Sequence, residues 1–145
     1  MDRISLSRPS ITDEEIAAAA DTLRSRWLVY GPQNRAFEEE LAQACGLRHA
    51  ITVSSGTAAL HLSLLALYGP GGPPEGARLL APAFTFPASV NVARFVPGPQ
   101  PIAVHLADVD AQTFCLPPQT VQAWLDRGPA LTMVVHQFGF PTRVF

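Results

Sequence analysis

The sequence predicts an α/β fold in which a mostly parallel sheet is flanked by helices. Short β-branched or apolar runs alternate along the chain with segments of helical periodicity, which is typical of a parallel sheet covered on both faces. Apolar residues make up 48% and charged residues 15% of the chain, which is the composition of a globular protein. The length of 145 residues corresponds to about one domain.

Two helices are predicted at the start of the chain. Residues 12–15 read T-x-x-E, a capping box that satisfies two backbone N–H groups at a helix N-terminus. Apolar residues then recur at helical spacing as far as about Arg24. After an irregular stretch, Pro32 can occupy the first turn of a second helix, which we expect to end at Gly46.

Beyond Gly46 the pattern changes to alternating strands and helices. The helix predicted over 57–67 has almost no polar face, so we expect it to pack on both sides. Residues 69–76 (GPGGPPEG) predict a loop. The other predicted elements are strands at 49–54, 79–81, 102–106 and 131–136, a helix at 88–95, and a helix around 121–125 that Pro117 and Pro118 could begin.

The last residues of the sequence bear on its completeness. A parallel sheet needs a crossover after the strand that ends at His136, and the sequence stops inside that crossover on Val144 and Phe145. We therefore expect a truncated protein. We divide it into residues 1–35, an N-terminal helix and loop, and residues 36–145, the first part of a larger domain.

Charge and residue content exclude several classes of protein. The formal net charge of −2 gives no electrostatic support for binding nucleic acid or a membrane surface. Cys45 and Cys115 are too few for a disulfide scaffold and are expected to be buried apolar residues. Asp108 and Asp110 lack the further ligands of a metal site, so we expect them in a structural loop. The sequence has neither a transmembrane segment nor a signal peptide, and we expect a cytoplasmic protein.

The strongest local signal is the turn Ser54-Ser55-Gly56-Thr57, between a predicted strand and a predicted helix. Unpaired N–H groups and the positive end of the helix dipole can bind a phosphate there without a cationic side chain. Gly56 allows close approach of the backbone to an anion. A plain turn with Ser/Thr capping has the same appearance, so both interpretations stay open.

The second signal is the run 82–86 (PAFTF) at the end of the next predicted strand. Ligands of parallel sheets bind beyond the carboxyl ends of the strands, and an aromatic ring there could stack on a flat heterocycle. The alternative is that Phe84 and Phe86 both belong to the core.

Seven blocks occur in one order along nearly the whole chain. Together they resemble the N-terminal part of the DegT/DnrJ/EryC1/StrS family of sugar aminotransferases, which are fold-type-I enzymes that use pyridoxal 5′-phosphate (PLP). The blocks are 4–9 (ISLSRP), 12–16 (TDEEI), 27–32 (WLVYGP), 37–42 (FEEELA), 54–67 (SSGTAALHLSLLAL), 82–86 (PAFTF) and 134–139 (VVHQFG).

The resemblance implies roles for individual residues. Those implied to bind the PLP phosphate are Gly56, Thr57 and Ala58, through backbone N–H groups and the Thr57 hydroxyl, and Phe86 is implied to stack on the pyridine ring. The residues implied to lie near the substrate are Trp27, Tyr30 and Gly31, and residues 36–145 would begin the PLP-binding domain. His136 matches a motif position, although a merely hydrogen-bonded histidine at a strand end fits equally well.

The resemblance also implies an activity. The complete enzyme would be a homodimer that transfers an amino group from an amino acid, typically glutamate, to a keto-sugar nucleotide in polysaccharide or secondary-metabolite biosynthesis. Such an enzyme needs a lysine that forms a Schiff base with PLP, and all ten basic residues of this chain are arginine. We therefore expect no catalytic residue in this chain, and no activity from it alone.

Two other functions stay open at this point. Some members of the family are PLP-dependent sugar dehydratases, in which a histidine replaces the lysine. A non-catalytic remnant or interaction module is the third possibility. In each case we expect poor solubility or obligate association, because exposed sheet edges and apolar faces promote association.

Overall fold

The computed structural model describes residues 7–143. Part of the first family block, 4–9, and the final residues Val144 and Phe145 lie outside the described residues. The chain divides into two compact units, the first ending at Thr52 and the second beginning at Val53. The division into 1–35 and 36–145, which rests on expected roles, stays a prediction.

The first unit contains the two predicted helices, α1 (Asp13–Ser25) and α2 (Pro32–Ala44). At the start of α1 the N–H and hydroxyl of Thr12 donate to Glu15 Oε2 at 2.6 and 2.5 Å, which forms the predicted capping box. Helix α1 ends at Arg26, which adopts a left-handed conformation with φ 60°. Pro32 begins α2 as expected, because its missing N–H would have no helical partner there.

The predicted strand at 49–54 is wrong, because no strand forms there. Ile51 is 81% exposed, and the N–H of Thr52 donates to Glu38 Oε1 at 2.7 Å. A strand exists only where a second strand pairs with its backbone groups. Within residues 7–143 the sheet has three strands, and none of them pairs with this segment.

The second unit is built on a parallel sheet, as the sequence predicts. The sheet has three strands in the order β2-β1-β3, whereas four strands are predicted from the sequence. The strands are β1 (Arg78–Pro82), β2 (Ala103–Ala107) and β3 (Leu131–Thr132). Strand β3 ends well short of the predicted residue 136. Met133 donates to the carbonyl of Leu80 at 2.8 Å, and the next bond of the ladder would need an N–H on Pro82, which proline lacks.

Helices cover the sheet on both faces. Helix α3 (Gly56–Tyr68) begins within the Ser54–Thr57 segment, with Ser55 as its N-cap. Helix α4 (Ala88–Asn91) follows β1 and continues as a 3-10 turn over Val92–Phe95. Helix α5 (Pro118–Leu125) begins at the predicted proline. Further 3-10 turns span Gly69–Gly71 and Gln137–Gly139.

The core follows from the alternation of side chains along β1. Leu79 and Leu80 are neighbours in the strand, so they point to opposite faces of the sheet. Leu79 packs with α3 and the 88–95 segment, whereas Leu80 packs with α5. The first cluster contains Leu64, Ala77, Leu79, Val92, Ala93, Val96 and Ile102, and the second contains Leu80, Leu116, Val121 and Trp124.

Two expectations about burial need correction. Helix α3 is packed on one side only: Leu64 is 6% exposed, but Leu62 and Leu67 are 49% and 60% exposed. Cys115 is buried as expected, whereas Cys45 is exposed because it caps the end of α2. Within residues 7–143, no helix has both the length and the apolar character needed to cross a membrane.

Candidate functional site

The first turn of α3 presents unpaired backbone donors. Ser55 caps the helix: its Oγ accepts a hydrogen bond from the Ala58 N–H at 3.1 Å. The carbonyl of Ser55 accepts from Ala59 at 3.0 Å. Within residues 7–143, the N–H groups of Gly56 and Thr57 have no hydrogen-bond partner. Two of the three predicted phosphate donors are therefore free, and the third is engaged by the cap.

This turn fits a phosphate group. Free N–H groups at the positive end of a helix dipole bind anions without a cationic side chain. A Cβ built on Gly56 would meet nothing within 4 Å, so the space beside its backbone is open. Thr57 is exposed and adds a hydroxyl. The chain contains no lysine, so no side chain here fits the aldehyde of PLP.

Phe86 lies in the turn after β1 with its ring 75% exposed. The turn is fixed by the Phe86 carbonyl, which accepts from the Ser89 N–H at 3.0 Å, and by a 3.0 Å contact between the hydroxyls of Thr85 and Ser89. Phe84 is 46% exposed, so neither phenylalanine is a core residue. A ring held on a short turn beyond a parallel strand can stack on a flat ligand.

Three phenylalanines meet beyond the strand ends, one from the loop after each strand. Phe84 follows β1, Phe114 follows β2 and Phe138 follows β3. Their ring centroids are 5.6 to 6.2 Å apart. Phe114 and Phe138 have φ values of 57° and 52°, a conformation that costs about 1–2 kcal/mol in a residue with a Cβ. Sequence reasoning identified Phe84 and missed the other two.

His136 is a hydrogen-bonded histidine beyond the end of β3. Its Nδ1 accepts the N–H of Thr142 at 2.9 Å, and the Thr142 hydroxyl donates to the Val135 carbonyl at 2.8 Å. These bonds close the 135–142 turn that carries Phe138. The His136 side chain therefore stabilises this turn.

Asp110 also closes a loop, through one oxygen of its carboxylate. Its Oδ1 accepts the N–H of Thr113, the N–H of Gln112 and the Thr113 hydroxyl, at 2.9 to 3.0 Å. These hydrogen bonds, chiefly that from the Thr113 backbone, lower the pKa of Asp110. No group of three or more His, Cys, Asp or Glu residues within 7–143 could hold a metal ion.

The predicted substrate residues form one compact loop, residues 27–31, in the first unit. The Trp27 indole N–H donates to the carbonyl of Tyr30 at 3.2 Å. A Cβ on Gly31 would collide with Trp27 Nε1, so the indole covers the glycine. Trp27 and Tyr30 are 56% and 55% exposed and line an open cavity of about 590 Å³. The predicted cofactor residues belong to the second unit.

Glu38 of α2 contacts this loop, which sequence reasoning missed because nothing separates it from the neighbouring Glu39 and Glu40. Its Oε2 accepts the Tyr30 hydroxyl at 2.6 Å, and its Oε1 accepts the N–H and the hydroxyl of Thr52, each at 2.7 Å. The pKa of Glu38 is lowered, chiefly by the hydrogen bond from the Thr52 N–H. The pKa of Tyr30 is raised, chiefly by its hydrogen bond to Glu38.

The chain is similar to known proteins along most of its length. The model of the DegT/DnrJ/EryC1/StrS aminotransferase family matches residues 9–144. An aminotransferase from Psychrobacter cryohalolentis is 30% identical, with a TM-score of 0.77, and the match covers 92% of this chain and 32% of that one. The structure of 3-amino-5-hydroxybenzoic acid synthase is 32% identical, with a TM-score of 0.75, over 94% of this chain and 34% of that one.

A third similar structure is the PLP form of a provisionally assigned sugar aminotransferase from Streptococcus pneumoniae. It is 32% identical with a TM-score of 0.69, and the match covers 83% of this chain and 29% of that one. The chain thus spans about a third of the length of the solved structures that it matches.

Proposed function

Because this chain belongs to the DegT/DnrJ/EryC1/StrS aminotransferase family, we propose that it supplies the cofactor-phosphate site of a PLP-dependent enzyme acting on a sugar nucleotide. The observation that carries the proposal is the first turn of α3, where the N–H groups of Gly56 and Thr57 are free. A phosphate bound there would receive two backbone hydrogen bonds and a third from the Thr57 hydroxyl. The Ala58 N–H would join them if the Ser55 hydroxyl, which now accepts it, turned away.

Phe86 would stack on the cofactor ring, because its exposed side chain is held by the turn that precedes α4. Bound PLP supplies an electron sink that lets an amino group be exchanged at carbon. The lysine that this chemistry requires has to come from outside these 145 residues, since none is present. The chain by itself is therefore inactive.

The substrate is a keto-sugar nucleotide, and the amino donor is an amino acid such as glutamate. Trp27, Tyr30 and Gly31 bind the substrate, a role supported by the exposure of both rings beside the open cavity of the first unit. The complete enzyme is a cytoplasmic homodimer. Aminotransferase and dehydratase members of the family differ in whether lysine or histidine acts on the cofactor, and that position has no counterpart in this chain.

The proposal is tested by titrating the protein with PLP while following near-ultraviolet absorbance, then treating with borohydride and measuring the intact mass. We expect weak, saturable binding that inorganic phosphate displaces, and no binding of pyridoxal, which lacks the phosphate. Borohydride should fix cofactor on no internal residue, because the N-terminus is the chain's one primary amine. Thr57→Val and Phe86→Ala should each weaken binding.

Phe95→Ala is the matched control for Phe86→Ala, because Phe95 is also exposed, at 67%, and is predicted to have no role in the site. Equal losses in the two variants would contradict the assignment of Phe86. Pyridoxal binding as well as PLP would contradict the phosphate site.

A further inference from the structure

Glu38 joins two segments of the first unit through one carboxylate. Tyr30 belongs to the 27–31 loop, and Thr52 lies just before the Ser54–Thr57 turn in the sequence. The carboxylate accepts one hydrogen bond from Tyr30 and two from Thr52, all between 2.6 and 2.7 Å. Hydrogen bonds to an ionised group are about twice as strong as neutral ones, so this carboxylate fixes both segments relative to α2.

Several hydrogen-bond donors of the loop already have acceptors within the first unit. The Trp27 indole N–H donates to the Tyr30 carbonyl, and the Tyr30 hydroxyl donates to Glu38. The Gly31 N–H donates to Asn34 Oδ1 at 3.2 Å. Trp27 and Tyr30 both line the adjoining cavity, and neither ring has a donor left for a ligand there.

We propose that Glu38 is the positioning residue of the 27–31 loop, which it holds through the Tyr30 hydroxyl so that Tyr30 and Trp27 contact the substrate through their ring faces. This inference rests on the proposed function, which makes the loop part of a substrate site. The class of group that suits such a surface is flat or rich in C–H bonds, such as the ring of a sugar or a nucleobase.

The charge state of the pair agrees with this role. The Thr52 N–H and the Tyr30 hydroxyl lower the pKa of Glu38, and the same contact raises the pKa of Tyr30. At neutral pH the carboxylate is ionised and the phenol keeps its proton, so the 2.6 Å hydrogen bond joins a neutral donor to a charged acceptor. The guanidinium of Arg35 lies 6.0 Å from the centroid of the Tyr30 ring.

The first test is an ultraviolet titration of Tyr30 in Glu38→Gln. The chain has two tyrosines, so Tyr68→Phe serves as the background in which Tyr30 alone titrates. We expect Glu38→Gln to return the pKa of Tyr30 towards its ordinary value of about 10, and to move the NMR signal of the Trp27 indole N–H. Glu39→Gln is the matched control on the same helix and should change neither.

The second test is a double-mutant cycle with Tyr30→Phe, using UDP-glucose as the probe in calorimetric titrations. Each single variant should weaken binding by about two- to tenfold, the factor that one hydrogen bond is worth. The double variant should bind no more weakly than either single one, because both changes remove the same contact. Far-ultraviolet circular dichroism of each variant checks that the fold is retained.

Two results would overturn the inference. One is a Tyr30 titration that is the same in Glu38→Gln as in Glu39→Gln. The other is a double variant that loses the product of the two single factors. If the unmodified protein does not bind UDP-glucose, the proposed function loses its support, while the Tyr30 titration still decides the role of Glu38.

Discussion

The carboxylate of Asp110 stabilises the loop after β2 by accepting three hydrogen bonds, of which the one from the Thr113 backbone affects its pKa most. These bonds lower the pKa of Asp110 in the folded protein. A carboxyl group whose pKa is lower when folded adds stability above its unfolded pKa of about 3.9. That contribution is lost as the pH falls through the folded pKa.

We therefore expect Asp110→Asn to be less stable than the unmodified protein at neutral pH, and to lose less stability on acidification below about pH 4. Urea unfolding measured between neutral and acidic pH checks both effects. Asp108→Asn is the control, because the Asp108 side chain accepts none of these bonds. The same pH profile in the two variants would show that the Asp110 bonds contribute nothing.

Other residues show which contacts a sequence pattern can predict and which it cannot. The T-x-x-E pattern at 12–15 predicted its capping box because both partners are local. Phe114 and Phe138 adopt positive φ, which residues with a Cβ rarely do, so their meeting with Phe84 has no sequence signal. The Ser55 hydroxyl competes for the Ala58 N–H, which depends on a side-chain rotamer that the sequence does not specify.

Among the elements, α3 shows how one helix can have two unlike faces. Its residues are apolar nearly all round, yet only one face packs against the sheet. Leu64 belongs to the core with Leu79 and Val92, whereas Leu67 is 60% exposed. The same substitution should therefore have very different effects at these two positions.

Leu64→Ala is expected to lower the free energy of unfolding by about 2–5 kcal/mol, because it removes buried contacts and leaves a cavity. Leu67→Ala should change it by no more than about 0.5 kcal/mol, since the side chain is exposed and alanine favours helix. Denaturant unfolding followed by circular dichroism measures both. Comparable losses would mean that the outer face of α3 is covered in solution.

The elements that the sequence predicted best are those whose signals are local. Helices α1, α2 and α5 begin at caps or prolines that can be identified from a few residues. A strand needs a partner strand, and the local sequence does not reveal whether one is available. The predicted strand at 49–54 pairs with no strand of the sheet and does not form. Strand β3 stops early because its neighbour β1 ends at Pro82, a constraint that only the pairing register reveals.

At the scale of the whole molecule, the two sets of predicted site residues belong to different units. The substrate loop with Glu38 lies in the first, whereas the turn at α3 and the phenylalanines beyond the sheet lie in the second. Each set has its own internal hydrogen bonds or ring contacts. The result of the PLP titration can therefore be interpreted independently of the result of the Tyr30 titration.

The molecule also exposes many large apolar side chains, including Leu62 and Leu67 on α3. Contiguous exposed apolar surface favours association in water, because association removes that surface from solvent. We expect the 145-residue protein to self-associate at micromolar concentration, and sedimentation velocity measures this directly. The double substitution Leu62→Glu with Leu67→Glu should shift the distribution towards monomer, because two charges on this face oppose its burial.

Gln33→Glu with Gln43→Glu is the matched control, because it adds the same two charges to exposed positions on α2. If it dissociates the assembly equally well, net charge rather than the α3 face governs association. A monodisperse unmodified protein at all concentrations would show that the exposed apolar surface is too scattered to drive association. Dissociation by the α3 variant alone would identify that helix face as the contact surface, since the fold leaves it unpacked while its other face forms the core.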